Sequence, residues 1–122
     1  MWRLEKSFLF EAAHNLPLHD GKCQRLHGHS WRGKLICEDY ELCTQGPKSG
    51  MMIDFGDLSA IVRPLLEDYL DHHYLNETTL LANPTSEELA RWIFMRLKPD
   101  LPSLVAVRIE ETCTSAAEYW SK

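Results

Sequence analysis

Between His27 and Glu38 the side chains mostly alternate in character. His27, His29, Trp31, Gly33, Leu35 and Cys37 fall in one set, and Ser30, Arg32 and Lys34 in the other. An extended chain points successive side chains to opposite faces, so this pattern predicts a strand over 27–38 with one packed and one wet face, as in an antiparallel sheet. Residues 2–14 alternate less cleanly, but as a strand they bring Phe8, Phe10, Ala12 and His14 to one face. Asn15 to Gln24, with Pro17, Asp20 and Gly21, reads as the loop between them, and His19 within it as solvent-exposed.

The remainder of the chain supplies cover for the packed face. Asp39 to Gly50, with Gly46-Pro47 and Ser49-Gly50, predicts a hairpin-like connection, and Met51 to Asp54 a short third strand. From Asp57 onward Leu58, Ile61, Val62, Leu65, Leu66, Tyr69 and Leu70 recur at helical spacing. Pro64 lies inside that helix and is expected to kink it or split off its first turn. Thr85 and Glu88 stand at capping-box spacing before Leu89, Ala90, Ile93, Phe94 and Leu97, which predicts a second helix ended by Pro99 and Pro102. Leu104 to Glu111 predicts a fourth strand with Val105, Val107, Ile109 and Glu111 on one face. Short links between strands and a pair of adjacent helices predict an α+β domain over 1–122: an antiparallel four-stranded sheet with two helices on one face.

The formal net charge of −5 argues against a nucleic-acid or membrane surface, since both need concentrated Lys and Arg. Charges fill the start, Trp2-Arg3-Leu4-Glu5-Lys6, where a signal peptide needs an apolar core, and no apolar run approaches membrane-spanning length. A cytoplasmic location is the expectation. Cys23, Cys37, Cys43 and Cys113 form no Cys-x-x-Cys pair, so zinc-ribbon and thioredoxin-type motifs are excluded and all four read as thiols.

Several residues do not fit a purely structural account. On a strand His27 and His29 project to the same side, with Gly28 between them and Cys23 four residues before His27. His14 is a third donor of the same type at the end of the first strand. Three imidazoles around zinc leave a fourth position open, the pattern of a catalytic rather than a structural site. The alternative is that these are ordinary surface or hydrogen-bonded histidines. Lys22 and Arg25 flank Cys23, cations that favour a thiolate when they face the sulfur. His72 and His73 follow the first helix, where a helix C-terminus favours positive charge. Glu111 ends an otherwise apolar strand face, which is costly unless a donor meets it or the strand emerges there at the sheet edge.

Phe10-Glu11-Ala12-Ala13-His14, Cys23-x-x-x-His27-Gly28-His29, Met52-Ile53-Asp54-Phe55, Leu70-Asp71-His72-His73-Tyr74-Leu75-Asn76, Asn83-Pro84-Thr85-Ser86-Glu87 and Glu111-Thr112-Cys113-Thr114 occur in that order. Together they resemble the 6-pyruvoyl-tetrahydropterin synthase superfamily, most closely its queuosine-pathway branch of 6-carboxy-5,6,7,8-tetrahydropterin synthases. The short spacing from Cys23 to His27 selects that branch: biopterin-pathway relatives place more residues there, and a folate-pathway branch replaces the cysteine by glutamate. The connection 39–50 departs from the pattern, ending in Ser49-Gly50 where relatives tend to have a shorter turn ending in Thr-Gly.

The resemblance implies a tunnelling fold (T-fold), in which sheets of neighbouring subunits join into a barrel and two trimeric rings stack into a homohexamer. It implies a zinc ion on His14, His27 and His29, and conversion of 7,8-dihydroneopterin triphosphate to 6-carboxy-5,6,7,8-tetrahydropterin with loss of acetaldehyde and triphosphate. Cys23 would be the base and Asp71 with His72 a proton relay supplied by a neighbouring subunit. Glu111 would bind the pterin, with Thr85, Ser86 and Glu87 near it, although Thr85 and Glu87 are also explained as helix-start residues. Lys22, Arg25, Arg32 or Lys34 would offset the negative net charge for a triphosphate. Two alternatives carry different expectations: a 6-pyruvoyl-tetrahydropterin synthase, which retains the side-chain carbons, and a non-catalytic zinc-stabilised assembly module.

Overall fold

The computed structural model describes residues 1–112 and 114–122; Cys113, read above as a thiol, lies outside the described residues. Two long strands lead the chain, β1 (Trp2–His14) and β2 (His27–Asp39). They pair antiparallel with Phe8 opposite Gly33, Phe10 opposite Trp31, Ala12 opposite His29 and His14 opposite His27. The alternation in the sequence is thereby realised, and Phe8, Phe10, Ala12, Trp31, Leu35 and Cys37 are buried on one face.

The chain continues through α1 (Phe55–Leu65), a π-helical turn at Leu66–Leu70, β3 (His73–Tyr74) and α2 (Leu75–Thr78). It then forms α3 (Ser86–Leu97), β4 (Leu104–Glu111) and β5 (Ser115–Trp120). The sheet order is β3-β1-β2-β4-β5, with β3 parallel to β1 and every other pair antiparallel. Leu58, Val62 and Leu65 of α1 and Leu89, Ala90, Ile93, Phe94 and Leu97 of α3 join the apolar sheet face in one core cluster. The α+β class and the helices on one face follow the sequence expectation. No helix among the described residues is long and apolar enough to cross a membrane.

Among the described residues the sheet has five strands rather than four, and Met51–Asp54 is not one of them. Met52 and Ile53 pack against the core without strand pairing, and Asp54 is taken up by the helix start, its Oδ1 accepting from Gly56 N at 2.7 Å. That cap moves the beginning of α1 from Asp57 to Phe55. β3 is only two residues long, and β5 is a half-polar edge strand, Ser-Ala-Ala-Glu-Tyr-Trp, without a β-branched residue to announce it. Pro64 does not split off the first turn. The helix runs through it and widens directly afterwards into the π turn, closed by Asp71 N donating to Leu66 O at 2.8 Å. At α3, Thr85 Oγ1 accepts from Glu88 N at 3.1 Å, but the Glu88 carboxylate turns to Arg91 at 2.6 Å, so the reciprocal half of the capping box is not made.

Gly33 is required by packing. A Cβ there would stand 2.2 Å from Phe8 Cζ, because the Phe8 ring lies over the glycine and stacks on Phe10, which in turn stacks on Trp31 at centroid distances of 6.1 and 5.8 Å. Gly33→Ala is therefore expected to destabilise by about 1–3 kcal/mol through overpacking, read as a lower urea midpoint at unchanged slope. Adding Phe8→Leu to it should recover part of the loss; a double variant less stable than Gly33→Ala would exclude this contact as the cause.

Candidate metal centre and active site

The β1–β2 register places three imidazoles on one face at the end of the ladder. Ring centroids are 4.6 Å apart for His14 and His27, 4.8 Å for His27 and His29, and 5.2 Å for His14 and His29. One ligand atom from each lies within 4.8 Å of the others. His14 is 1% exposed, while His27 and His29 are half-buried. Trp31 stands edge-on to His14 and His29 at 5.0 and 5.4 Å, its Nε1 donating to Ala12 O.

The other ring nitrogens fix the tautomers. His14 Nδ1 meets Pro84 O at 2.8 Å and His27 Nδ1 meets Arg25 O at 2.7 Å. A carbonyl only accepts, so each Nδ1 carries the proton and each Nε2 keeps a lone pair. His29 Nδ1 lies 3.5 Å from Thr112 Oγ1. The Nε2 atoms of His14 and His29 are buried with no hydrogen-bond partner, a cost the fold recovers if a cation accepts them. Burial above all lowers the pKa of His14, opposed by its bond to Pro84 and the charge of Glu111, which favours the neutral, ligating form. The three histidines form a group able to hold a metal ion.

Glu111 adjoins them at the end of β4. Its Oε1 accepts from Ser86 Oγ at 2.8 Å, and its Oε2 lies 3.3 Å from His29 Nε2 without hydrogen-bond geometry. The carboxylate that looked misplaced on an apolar face is half-buried between a hydroxyl and an imidazole. Beside it a cavity of about 380 Å³ is lined by Ser86, Glu87, Glu111, Thr112, Thr114 and Ser115, among others. Thr85 is absent from that lining. Its hydroxyl caps α3, and it faces a different hollow with Asn83 and Glu88.

Asp71 and His72 lie elsewhere, and not within the last turn of the first helix. The helical segment stops at Leu70, Asp71 is extended, His72 has a positive φ of 60°, and His73 begins β3. Asp71 Oδ1 accepts from Glu11 N at 2.9 Å and its Oδ2 lies 3.0 Å from His72 Nδ1. The Glu11 N–H first, and His72 second, hold the Asp71 carboxyl below its usual range. His72 opens onto a groove of about 690 Å³ that it lines with Glu11, Ala13, Gly28, Ser30, Tyr74 and His29 of the histidine centre, among others. Along the strands Glu11, Ala13, Gly28 and Ser30 belong to the face opposite His14 and His27. His73 Nε2 is bonded to Glu67 O at 2.8 Å.

Cys23 is half-buried in a 3-10 turn, Lys22–Gln24, four residues before His27. Lys34 is paired with Glu5 at 3.4 Å, and Arg32 lines a hollow with Leu9, Glu11 and Glu110 on the polar face. Of the four candidate cations, only Lys22 and Arg25 are on the loop that enters the histidine centre. An apolar hollow of about 620 Å³, lined by Trp2, Leu4, Met51, Met52 and Phe55 among others, lies at the other end of β1 and contains none of the candidate residues.

Sequence reasoning missed the Pro84 and Arg25 carbonyls, which have no side-chain signature. It also missed Asn15 and Asn76, although Asn76 belongs to a quoted motif. Tyr74 donates its hydroxyl to Asn15 Oδ1.

The family model described as 6-pyruvoyl tetrahydropterin synthase matches residues 3–122, and the chain belongs to that family. Within it, the 6-carboxy-5,6,7,8-tetrahydropterin synthase of Synechocystis sp. is 51% identical over 122 residues, covering 99% of this chain and 95% of that one. The Haemophilus influenzae protein of the same name is 39% identical over 140 residues, covering 98% and 99%. Caenorhabditis elegans 6-pyruvoyl tetrahydropterin synthase is a structural neighbour with a TM-score of 0.84 at 29% identity, covering 99% of this chain and 96% of that one.

Replacing His14, His27 or His29 singly by alanine is expected to abolish stoichiometric zinc binding in equilibrium dialysis. In the intact protein, zinc at a hundredfold excess over its Kd should add about 2.7 kcal/mol of stability. Chelation should leave the far-ultraviolet circular dichroism in place, since the core cluster contains none of the three histidines.

Proposed function

We propose that the protein is a zinc-dependent carbon–carbon lyase of the 6-carboxytetrahydropterin synthase type. It converts 7,8-dihydroneopterin triphosphate to 6-carboxy-5,6,7,8-tetrahydropterin, releasing acetaldehyde and triphosphate, as a cytoplasmic step of queuosine biosynthesis, with residues 1–122 acting as one domain. The observation that carries this reading is the convergence of three imidazoles, two of them with buried and unpartnered Nε2 atoms, beside the Glu111 carboxylate. The identity with relatives bearing that name supports the same reaction.

His14, His27 and His29 would hold the zinc, which would supply Lewis acidity toward a side-chain oxygen of the substrate and so make the neighbouring C–H more acidic. The remaining work falls to the chain's own groups. Cys23, as thiolate, removes a proton from the side-chain carbon. Asp71 orients the His72 ring through Nδ1 and stays anionic, leaving the far nitrogen of His72 to relay or return the proton. Glu111 accepts N–H bonds from the amino-pyrimidine edge of the pterin, with Ser86 holding its second oxygen and Glu87 lining the same cavity. Thr85 contributes by starting the helix that carries Ser86 and Glu87. Lys22 and Arg25 provide local positive charge for the triphosphate.

His72 lines a groove with Glu11, Ala13 and Ser30 of the polar side of the sheet and with His29, while His14 and His27 belong to the opposite face. In this reading Asp71 and His72 complete the site of a neighbouring copy, giving a homo-oligomer, a hexamer of two trimers, whose sites lie between subunits. The free edge of β5, and the length of β1 that the two-residue β3 does not cover, give such joining a physical motive.

The test is incubation of zinc-loaded protein with 7,8-dihydroneopterin triphosphate. Acetaldehyde release is expected; a 6-pyruvoyl product without acetaldehyde would assign the other branch, and unfolding on zinc removal without turnover would assign an assembly module. Cys23→Ala should keep its zinc while losing at least about a hundredfold in turnover. Mixing Cys23→Ala with His72→Ala subunits should restore about a quarter of wild-type activity if sites are shared between randomly assorted copies. Arg25→Glu should raise KM with little change in kcat.

A further inference from the structure

Asn15 directly follows His14 and ties together three segments, the end of β1, the turn at Gln24 and the stretch from Tyr74 to Asn76. Its Nδ2 donates to Gln24 O at 3.1 Å, and its Oδ1 accepts from the Tyr74 hydroxyl. Its backbone N–H donates to Asn76 Oδ1 at 3.0 Å, while Asn76 Nδ2 returns a bond to Asn15 O at 2.9 Å. The orientation of both amides is determined. Gln24 O can only accept, so the Asn15 nitrogen must face it and its oxygen must face Tyr74; the Asn15 backbone N–H and C=O fix Asn76 in the same way.

The contact with Gln24 bears on Cys23, the residue before it. The turn Lys22–Gln24 contains no side-chain cap. It is tied back to the end of β1 by Leu16 N donating to Cys23 O at 2.8 Å and by the Asn15 amide beside it. The turn that bears Cys23 is thus referenced to the residue adjoining His14. We propose that Asn15 is a positioning residue: clamped by Tyr74 and Asn76, its side-chain amide sets where the Cys23 thiol stands relative to the three-histidine centre.

The Tyr74 hydroxyl bond and the paired bonds to Asn76 are part-buried, whereas the Gln24 bond is exposed. The inner bonds therefore hold the asparagine, and the outer one transmits its position to the turn. The proposal rests on the role given to Cys23 above, but its first readout needs no substrate. Alkylation of Cys23 by iodoacetamide, resolved by peptide mass spectrometry from the other cysteines, reports the exposure and placement of the thiol directly.

In zinc-loaded Asn15→Ala, Cys23 alkylation is expected to accelerate several-fold with zinc stoichiometry unchanged. Its kcat should fall at least about tenfold, as reacting groups displaced by a fraction of an ångström lose that much, with KM little altered. Tyr74→Phe removes a single hydroxyl and should move alkylation and kcat in the same directions by less, which keeps the test available if Asn15→Ala does not fold. Wild-type alkylation rates in both variants would overturn the proposal. Loss of zinc in parallel with kcat would also overturn it, since Asn15 would then be supporting His14 instead. Faster alkylation in a protein that releases no acetaldehyde would leave the positioning role standing and remove the reaction assigned to the site.

Discussion

The register of β1 on β2 is the constraint from which the rest of the molecule follows. Every residue of β1 has a partner on β2, from Trp2 opposite Asp39 to His14 opposite His27. Because side chains change face at each residue, a slip of one position would send His27 and His29 to the opposite side from His14. The same slip would take Gly33 from beneath Phe8 and set a side chain against its ring. Packing in the middle of the ladder and ligand geometry at its end are therefore held by one alignment. The aromatic stack Phe8–Phe10–Trp31 enforces that alignment without touching any ion.

The start of α3 gathers several tasks into three consecutive residues. The Pro84 carbonyl orients His14, Thr85 caps the helix, and Ser86 donates to Glu111. Proline suits the first position because it surrenders no useful N–H and leaves its carbonyl free. A helix terminus with satisfied donors is a rigid platform, and here it fixes one imidazole and one carboxylate together. The contacts of α3 with β4 and β5 carry that rigidity into the sheet bearing Glu111.

Much of this was legible in the sequence for identifiable reasons. The alternation of 27–38 and the spacing of Leu89, Ala90, Ile93 and Phe94 are each a periodicity with one physical solution, and they gave β2 and α3 nearly to the residue. The convergence of His14, His27 and His29 needed only parity along two neighbouring strands. What escaped was decided by groups without periodic signatures. Asp54 served a cap instead of a strand, β5 drew its place from pairing with β4 more than from its composition, and beyond the π turn His72 took a left-handed backbone before the short β3. The backbone carbonyls that set the histidine tautomers, and the amide of Asn15, act through tertiary placement that no local pattern encodes.

The left-handed backbone at His72 has an evolutionary corollary. Such a conformation costs a side-chain-bearing residue on the order of 1 kcal/mol that glycine does not incur. The bond from His72 N to Glu11 O fixes the backbone there whatever side chain is attached. A laboratory selection for heat tolerance alone would thus be drawn towards glycine at this position, and the most thermally robust descendants would be those that had discarded the imidazole.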